Sequence, residues 1–186
     1  MKLSALILAL LAAPVGAQAA DLSYSWLEAD YIRLKPDNFE STDGIGIRGS
    51  GALGDNFNVI VGWSKIDGSQ AENLPNQLPD TKAWYAGFGY HTPVSESADL
   101  FAEVAYNKET TFDNDGVSGR VGVRAAFGPN FEGGAALAYT KFDHIDANTA
   151  IDVFGQYKFT PMFGISAEAV VGNNDKSVVI GPRVSF

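Results

Sequence analysis

The sequence predicts an all-β protein, a transmembrane antiparallel up-and-down β-barrel of about ten strands with short periplasmic turns and longer extracellular loops. Three observations support this prediction. Apolar residues recur at every second position over most of the chain after residue 20, which is the period of a strand with two unlike faces. Aromatic residues mark both ends of these apolar stripes, where a soluble sandwich would place them mid-strand. The chain also ends on an aromatic residue, Phe186.

The first residues are predicted to be a cleaved signal peptide. Met1 and Lys2 form a positive start, Leu3–Leu11 is an apolar stretch of nine residues, and Ala17-Gln18-Ala19 is a cleavage signal. A membrane anchor is the alternative, but nine residues are too few to cross a hydrocarbon core of ~30 Å as a helix. We therefore expect residues 1–19 to be removed and residues 20–186 to form the outer-membrane barrel.

Each predicted strand offers a lipid-facing row of side chains two residues apart. In chain order the ten rows are Leu27, Ala29 and Tyr31; Ile45, Ile47 and Leu53; Phe57, Val59, Val61 and Trp63; Trp84, Ala86, Phe88 and Tyr90; Leu100, Ala102, Val104 and Tyr106; Val117, Val121, Val123, Ala125 and Phe127; Phe131, Ala135, Leu137 and Tyr139; Ile151, Val153, Tyr157 and Phe159; Phe163, Ile165, Ala167, Ala169 and Val171; Val178, Ile180, Val184 and Phe186.

The connections between these rows alternate between tight and longer segments. The tight ones are Gly54–Asn56, Pro93–Ser97, Gly128–Asn130 and Thr160–Met162, and the longer, acidic ones are Lys35–Thr42, Asp67–Asp80, Thr110–Asp115, Asp143–Asn148 and Asn173–Lys176. Alternation of this kind is typical of short periplasmic turns and longer extracellular loops. An even strand number places both termini in the periplasm.

The opposite face of the strands carries charges of both signs. Six acids (Glu28, Asp30, Glu103, Glu132, Asp152 and Glu168) and five bases (Arg48, Arg120, Arg124, Lys158 and Arg183) share this face. Because buried charges need partners, we expect a lumen filled by ion pairs. Wide channels have about 16 or more strands, so a general porin is disfavoured, while a narrow small-solute or ion channel stays open as an alternative.

Composition excludes several classes of function. The formal charge is −9 and Lys and Arg are not clustered, which argues against a nucleic-acid partner. The absence of cysteine excludes disulfides, thiolate metal sites and a Cys nucleophile. No phosphate-binding loop or dinucleotide fingerprint is present, and Asp113-Asn114-Asp115-Gly116 lacks the remaining ligands of a calcium loop. We therefore expect no cofactor and no metal.

One constellation could carry catalysis. Asp143-His144-Ile145-Asp146, with Asp113 and Asp115 across the barrel mouth, combines Asp and His groups as ten-stranded outer-membrane proteases do to activate water. Such proteases have longer strands that rise above the membrane to build a cleft. The sequence therefore favours a protein that is not an enzyme, with a protease as a second alternative. His91 is expected to face inward near the periplasmic rim as a hydrogen-bonded structural residue.

The start of the mature chain, Asp21–Arg33, resembles the opening strand of small barrels of xanthomonads and their relatives, the sulfation-dependent quorum factor or activator-of-immunity family. Ala83–Tyr90, Val104–Lys108, Val121–Phe127 and the closing Gly181-Pro182-Arg183 also match, and the chain resembles opacity-type surface barrels more broadly. The resemblance implies an outer-membrane location, release in membrane vesicles and a link to biofilm, motility, quorum sensing or host sensing. It also implies modification of Tyr24, where the residue pattern predicts an interfacial aromatic instead.

The C-terminus resembles the signal that the barrel assembly machinery reads, with Gly181, Val184 and Phe186 in the matching positions and Val179 departing from them. The expected function is that of a surface structural or interaction protein. Its expected partners are outer-membrane lipid, lipopolysaccharide bound through divalent cations, the assembly machinery, and a surface partner that meets the extracellular loops. The Asp67–Asp80 loop is the predicted mobile contact because it is long and weakly patterned.

Overall fold

The computed structural model describes residues 22–37, 39–68 and 79–186. The predicted signal peptide lies outside the described residues, as does most of the Asp67–Asp80 loop. Within them the strands are β1 (Trp26–Pro36), β2 (Thr42–Leu53), β3 (Phe57–Ile66), β4 (Thr81–Ser95), β5 (Ala98–Glu109), β6 (Asn114–Ala126), β7 (Phe131–Phe142), β8 (Ile145–Lys158), β9 (Phe163–Gly172) and β10 (Asp175–Ser185).

These ten strands form one closed antiparallel barrel in which each strand pairs with its neighbours in sequence and β10 pairs with β1. The closing pair, called the seam below, aligns Tyr31 with Ile180 and Glu28 with Arg183. Closure leaves no strand edge unpaired in the ladder, which is what a hydrocarbon environment demands. The predicted ten-stranded up-and-down barrel is confirmed.

The pleat points apolar side chains outward and polar ones inward. Leu27, Phe88 and Leu137 are 53%, 62% and 60% exposed, whereas inward Glu28 and Asp152 are each 1% exposed. A soluble protein would show the reverse, so the exposed apolar band is the surface that lipid covers. None of the described residues belongs to a helix long and apolar enough to cross a membrane.

Aromatic side chains ring both ends of this apolar band. Trp84 packs against Tyr106 at 5.6 Å between ring centroids near one end, and Phe57 packs against Tyr90 at 5.2 Å near the end that holds both chain termini. Amphipathic rings are favoured at the level of lipid headgroups. The two bands of aromatic residues therefore mark the two membrane interfaces.

Connections at the two ends differ in length less than the sequence predicts. At the terminal end the connections are residues 54–56, 96–97, 127–130 and 159–162. At the opposite end, residues 37–41 and 67–80 form loops, but the remaining connections are only residues 110–113, 143–144 and 173–174. Strand pairing continues into four of the five longer predicted loops, for example where Asn148 pairs with Thr140, because each added residue gains ladder hydrogen bonds.

Two glycines permit the tight turns at the terminal end. Gly54 and Gly128 have φ angles of 72° and 92°, a region that side chains other than hydrogen disfavour. These turns place β3 and β7 directly beside the preceding strands, so the inward faces of β2, β3, β6 and β7 line one continuous lumen.

Candidate functional site

The lumen of the barrel is the candidate site. All eleven charged residues predicted to face inward lie on its wall, and each takes part in an ion pair. They form three groups: the seam cluster (Glu28, Asp30, Arg48, Glu168 and Arg183), the mid-barrel cluster (Glu103, Arg120 and Asp152) and the rim cluster (Arg124, Glu132 and Lys158).

The seam cluster is organised around Arg48 on β2. Its Nη2 lies 2.7 Å from Glu28 Oε1, its Nε 2.7 Å from Asp30 Oδ2, and its Nη1 2.5 Å from Glu168 Oε2. Arg183 Nε on β10 donates to the second oxygen of Glu28 at 2.5 Å. Glu28 lies opposite both Arg48 and Arg183 in the strand register, so the pleat itself aims these groups at one another. The guanidinium fork suits several carboxylates at once.

The mid-barrel cluster joins non-adjacent strands. Arg120 on β6 contacts Glu103 on β5, with Nη1 3.3 Å from Oε2, and also donates a hydrogen bond to Asp152 on β8. Its guanidinium lies 5.7 Å from the ring of Phe101 and 5.6 Å from that of Phe154. Charge and aromatic faces thus fill the same cross-section of the lumen.

The rim cluster lies nearer the chain termini. Arg124 Nη2 is 2.5 Å from Glu132 Oε1, and Lys158 Nζ is 3.2 Å from Glu132 Oε2. Glu132 is only 3% exposed, so its charge depends on these two bases for compensation.

Sequence reasoning missed the aromatic residues of the lumen. Trp26, Tyr85, Phe101 and Phe154 line the interior, and Arg183 lies 4.2 Å from the ring of Trp26. Strand parity could have found three of them: Trp84 and Ala86 face lipid, for example, so Tyr85 between them must face inward. Tyr85 also lies over the backbone of Gly62 on the adjacent strand, where an added Cβ would be 2.3 Å from its ring.

A cavity of about 310 Å³ remains between these side chains. Gln156 on β8 lines it and is 2% exposed, and within the described residues neither atom of its amide has a hydrogen-bond partner. A polar cavity of this size has room for ordered water. Side chains therefore fill most of the lumen but leave this cavity between them.

The terminal end of the lumen holds Tyr24, and here the expectation from the sequence is wrong. Tyr24 is 9% exposed and lies inside the barrel, where its hydroxyl donates to Asp99 Oδ2 at 2.9 Å. Its ring stacks on His91 with the centroids 3.5 Å apart. An interfacial position would face lipid, but residue 24 precedes β1 and the chain there turns inward. His91 is buried as expected, but its ring does not form the expected hydrogen bond: within the described residues Nε2 has no partner, and Nδ1 lies 3.6 Å from Asp99 Oδ2.

At the opposite end, two of the four acids of the predicted catalytic constellation, Asp113 and Asp115, are paired with a lysine. Lys108 Nζ lies 2.5 Å from Asp113 Oδ1 and 2.9 Å from Asp115 Oδ1. The ring Nδ1 of His144 faces Asn114 Oδ1 at 3.3 Å. The structure thus brings His144 to an amide and not to a carboxylate. Nor do the described residues contain a group of three or more acids or histidines placed to hold a metal ion.

A second lysine closes the base of the longest loop. Lys65 Nζ on β3 contacts Asp80 Oδ2 at 2.7 Å and Asp67 Oδ1 at 3.3 Å, and the amide of Gly68 donates to Asp80 Oδ1. The hydrogen bond from Lys65 lowers the pKa of the Asp80 carboxyl. The two ends of this loop are therefore held together independently of the residues between them.

The residues of the predicted assembly signal lie at the seam. Gly181 is buried, Val184 pairs with Leu27 across the seam, and Phe186 is exposed just beyond the end of β10. The Phe186 amide donates to the Ser25 carbonyl at 3.0 Å. The signal thus overlaps the point at which the barrel closes.

Residues 4–149 match the family model described as the outer membrane protein beta-barrel domain. The chain belongs to this family of outer membrane β-barrels. It is accordingly a protein of the Gram-negative outer membrane, as the sequence predicts.

Solved structures resemble this outer membrane barrel in fold. A KdgM porin in complex with disordered oligogalacturonate has a TM-score of 0.50 and 12% identity, over 86% of this chain and 99% of the other. Neisserial surface protein A (NspA) has a TM-score of 0.44 and 12% identity over 88% and 98% of the two chains. Ail of Yersinia pestis has a TM-score of 0.37 and 14% identity over 87% and 94%. No curated protein sequence matches the chain. At these identities the likeness concerns the fold alone.

Proposed function

We propose that this barrel is a non-enzymatic surface protein with a structural and interaction role, whose lumen is held closed by paired charges. The observation that carries the proposal is the contact of Arg48 with Glu168 and of Arg120 with Asp152, since each pair joins strands that are not neighbours. Side chains that reach into the lumen to join strands two or three positions apart obstruct the path that a hydrated solute would need.

The extracellular end offers the interaction surface. Acidic residues lie in or beside its connections, including Asp37, Glu40, Asp67, Asp80 and Asp143. Carboxylates bind hard divalent cations, and such cations also bind the phosphates of lipopolysaccharide. We therefore expect the barrel to associate with lipopolysaccharide through Mg²⁺ or Ca²⁺, and a surface partner to meet the Asp67–Asp80 loop.

The narrower family resemblance gives this role a physiological context. The match of Asp21–Arg33 to the opening strand of the sulfation-dependent quorum factor family supports a part in biofilm, motility or cell–cell and host sensing, with release in vesicles. Tyr24, the residue that this resemblance would modify, is hydrogen-bonded to Asp99 inside the lumen. Modification of its hydroxyl would therefore have to precede folding or displace the residue.

Planar-bilayer recording with refolded protein tests the closed lumen. We expect no steady, reproducible openings, because the ion pairs block the path. A double variant, Arg120→Ala with Asp152→Ala, removes one crossing pair and both of its charges, so openings that appear only in this variant would show that the pair obstructs the path. Steady openings of the unaltered barrel would overturn the proposal.

A narrow small-solute or ion channel is the second candidate, and the lumen cavity of about 310 Å³ favours it. A path lined by Arg48, Arg120, Glu103 and Glu168 would select ions by charge. If the unaltered barrel conducts, a change of ion selectivity in the Glu103→Gln variant would support this candidate.

A proteolytic role is the remaining candidate, and its groups are those around His144. Lys108 pairs with Asp113 and Asp115, so these carboxylates are not positioned to activate a water for this histidine. We expect the His144→Ala variant and the unaltered barrel to be equally inactive on casein and basic peptides. If the unaltered barrel cleaved a substrate and the His144→Ala variant did not, the proteolytic role would be supported.

A further inference from the structure

We infer that residues 22–25, called the N-terminal plug, close the periplasmic mouth of the lumen, with the Tyr24 side chain as the stopper. The plug directly precedes β1, and its backbone continues from the strand into the barrel interior. This inference goes beyond the proposed function, because it concerns how the mouth is sealed and not how the middle of the lumen is filled.

The plug reaches the far wall of the barrel. Arg124 Nη1 on β6 donates to the Ser23 carbonyl at 2.9 Å, and the Tyr24 hydroxyl donates to Asp99 on β5 at 2.9 Å. In the closed ring of ten strands, β1 and β6 are five positions apart in either direction. Contacts from the start of β1 to β6 therefore cross the full width of the mouth.

Other contacts hold the plug to the remaining walls. Ser50 Oγ on β2 donates to the Tyr24 carbonyl at 2.7 Å, and Ser23 Oγ donates to the terminal carbonyl of Phe186 at 3.2 Å. The Tyr24 ring stacks on His91 of β4 with 6° between the planes, and the Arg124 guanidinium lies 5.0 Å from its centroid. The Tyr24 side chain is thus fixed by polar and aromatic contacts from β4, β5 and β6, and its backbone carbonyl by Ser50 on β2.

Apart from the hydrogen bond of the Phe186 amide to the Ser25 carbonyl, these contacts are not a continuation of the strand ladder. Pairing of β1 with β2 and β10 begins at Trp26, so the plug is placed mainly by side chains of the wall. A terminus without such contacts would fray into solvent. Because the plug depends on a few hydrogen bonds and one stacked ring, its opening costs less than unfolding of the barrel.

The closed mouth keeps water-soluble molecules out of the lumen cavity. Tyr24 and Arg124 line that cavity, as does Ile60 on β3. If the plug withdraws, the cavity opens towards the periplasm, and a small hydrophilic reagent reaches Ile60 from that side.

Thiol labelling tests the plug directly, because the chain contains no cysteine. Ile60→Cys places one reporter in the cavity at a position that is 9% exposed and makes no polar contact with the plug. With a charged methanethiosulfonate reagent on the refolded barrel, we expect labelling to be about tenfold or more faster when Tyr24→Ala is added.

Two controls separate plug opening from general loosening. Asp55→Cys lies in the exposed β2–β3 turn at the same end. We expect this cysteine to be labelled at the same rate whether or not the barrel also carries Tyr24→Ala. Tyr90→Ala removes a lipid-facing tyrosine from β4 near this end, where its side chain is 44% exposed, and is expected to leave Ile60→Cys labelling slow. Heat-modifiable gel migration establishes that each variant is folded.

Either of two results would overturn the inference: fast labelling of Ile60→Cys with Tyr24 intact, or unchanged slow labelling in a folded Tyr24→Ala barrel. If Tyr24→Ala does not fold, Asp99→Ala gives a second test: it removes the acceptor that anchors the tyrosine hydroxyl on β5, so the ring is held less firmly and labelling is expected to be faster than with Asp99 intact. Slow labelling in a folded Asp99→Ala barrel would then count against the plug.

Discussion

Arg48 on β2 and Glu168 on β9 form an ion pair of 2.5 Å although two strands, β1 and β10, lie between them. The pair bridges the seam from the inside, where Arg48 also contacts Glu28 and Asp30 on β1. Side chains therefore reinforce the junction of the first and last strands in addition to its backbone ladder.

Replacing Arg48 by Ala is expected to lower the free energy of unfolding by about 3–5 kcal/mol, because it leaves buried carboxylates without their shared base. Urea unfolding in lipid vesicles measures this. Arg33→Ala is the control: Arg33 pairs with Asp43 at 3.7 Å, and both side chains are well exposed, so its loss should cost no more than about 1 kcal/mol. Equal effects of the two substitutions would contradict the buried role of Arg48.

Gly181→Ala is expected to destabilise the seam. A Cβ at residue 181 would lie 1.9 Å from the carbonyl oxygen of Ala29 on β1, and the backbone must shift, at about 1–3 kcal/mol. Gly51→Ala is the matched control, since the nearest atom would be 3.6 Å away. Unfolding curves of both variants give the comparison, and a neutral Gly181→Ala would show that the glycine is needed only as an assembly signal.

Val104→Arg tests which face meets lipid. Val104 lies mid-strand on β5 and is 60% exposed, so an arginine there is expected to cost about 2–4 kcal/mol in a bilayer. Val94 near the end of β4 is similarly exposed, and Val94→Arg should cost no more than about 1 kcal/mol because it lies near the interface. A chain that folded as a monomer in buffer without detergent would invert this assignment of faces.

Deletion of residues 69–78 is expected to leave the barrel intact. Lys65 holds Asp67 and Asp80 together at the base of the loop, and shortening a surface loop changes the closure entropy by roughly 1 kcal/mol or less. Heat-modifiable migration and urea unfolding measure the outcome. If the deletion blocks folding in detergent, the loop has a structural role and is not a free contact surface.

Alternation assigns each residue to one of the two faces of its strand, and the aromatic residues at the ends of the apolar stripes then indicate that the apolar face meets lipid and the other face the lumen. Glu28, Arg48 and Asp152 could therefore be placed in the lumen without a structure. Their partners could not all be predicted: Glu28 and Arg48 lie opposite each other on adjacent strands, but Arg48 meets Glu168 only because the closed sheet curves. Contacts between strands that are not neighbours depend on how the closed sheet curves, and the residue pattern does not predict that curvature.

Tyr24 and the connection at Asp143 escaped prediction for a different reason. Tyr24 precedes the first strand, where no alternation constrains its direction, and the wall residues that hold it come from distant parts of the sequence. Residues 145–148 are predicted to be part of a loop, but they belong to β8, which pairs with β7 out to Ile145. Local composition predicts turns well only where the chain has no partner strand to extend along.

The connections at the outer end are unevenly distributed in length around the barrel. Its two extended outer connections, residues 37–41 and 67–80, both join strands of the consecutive set β1–β4, whereas the strands β5–β10 are joined at that end by two to four residues. A phage, antibody or neighbouring cell approaching through the sugar layer would thus meet this protein on one flank. The low flank would stay beneath the sugars, free to lie against other barrels in a crowded membrane.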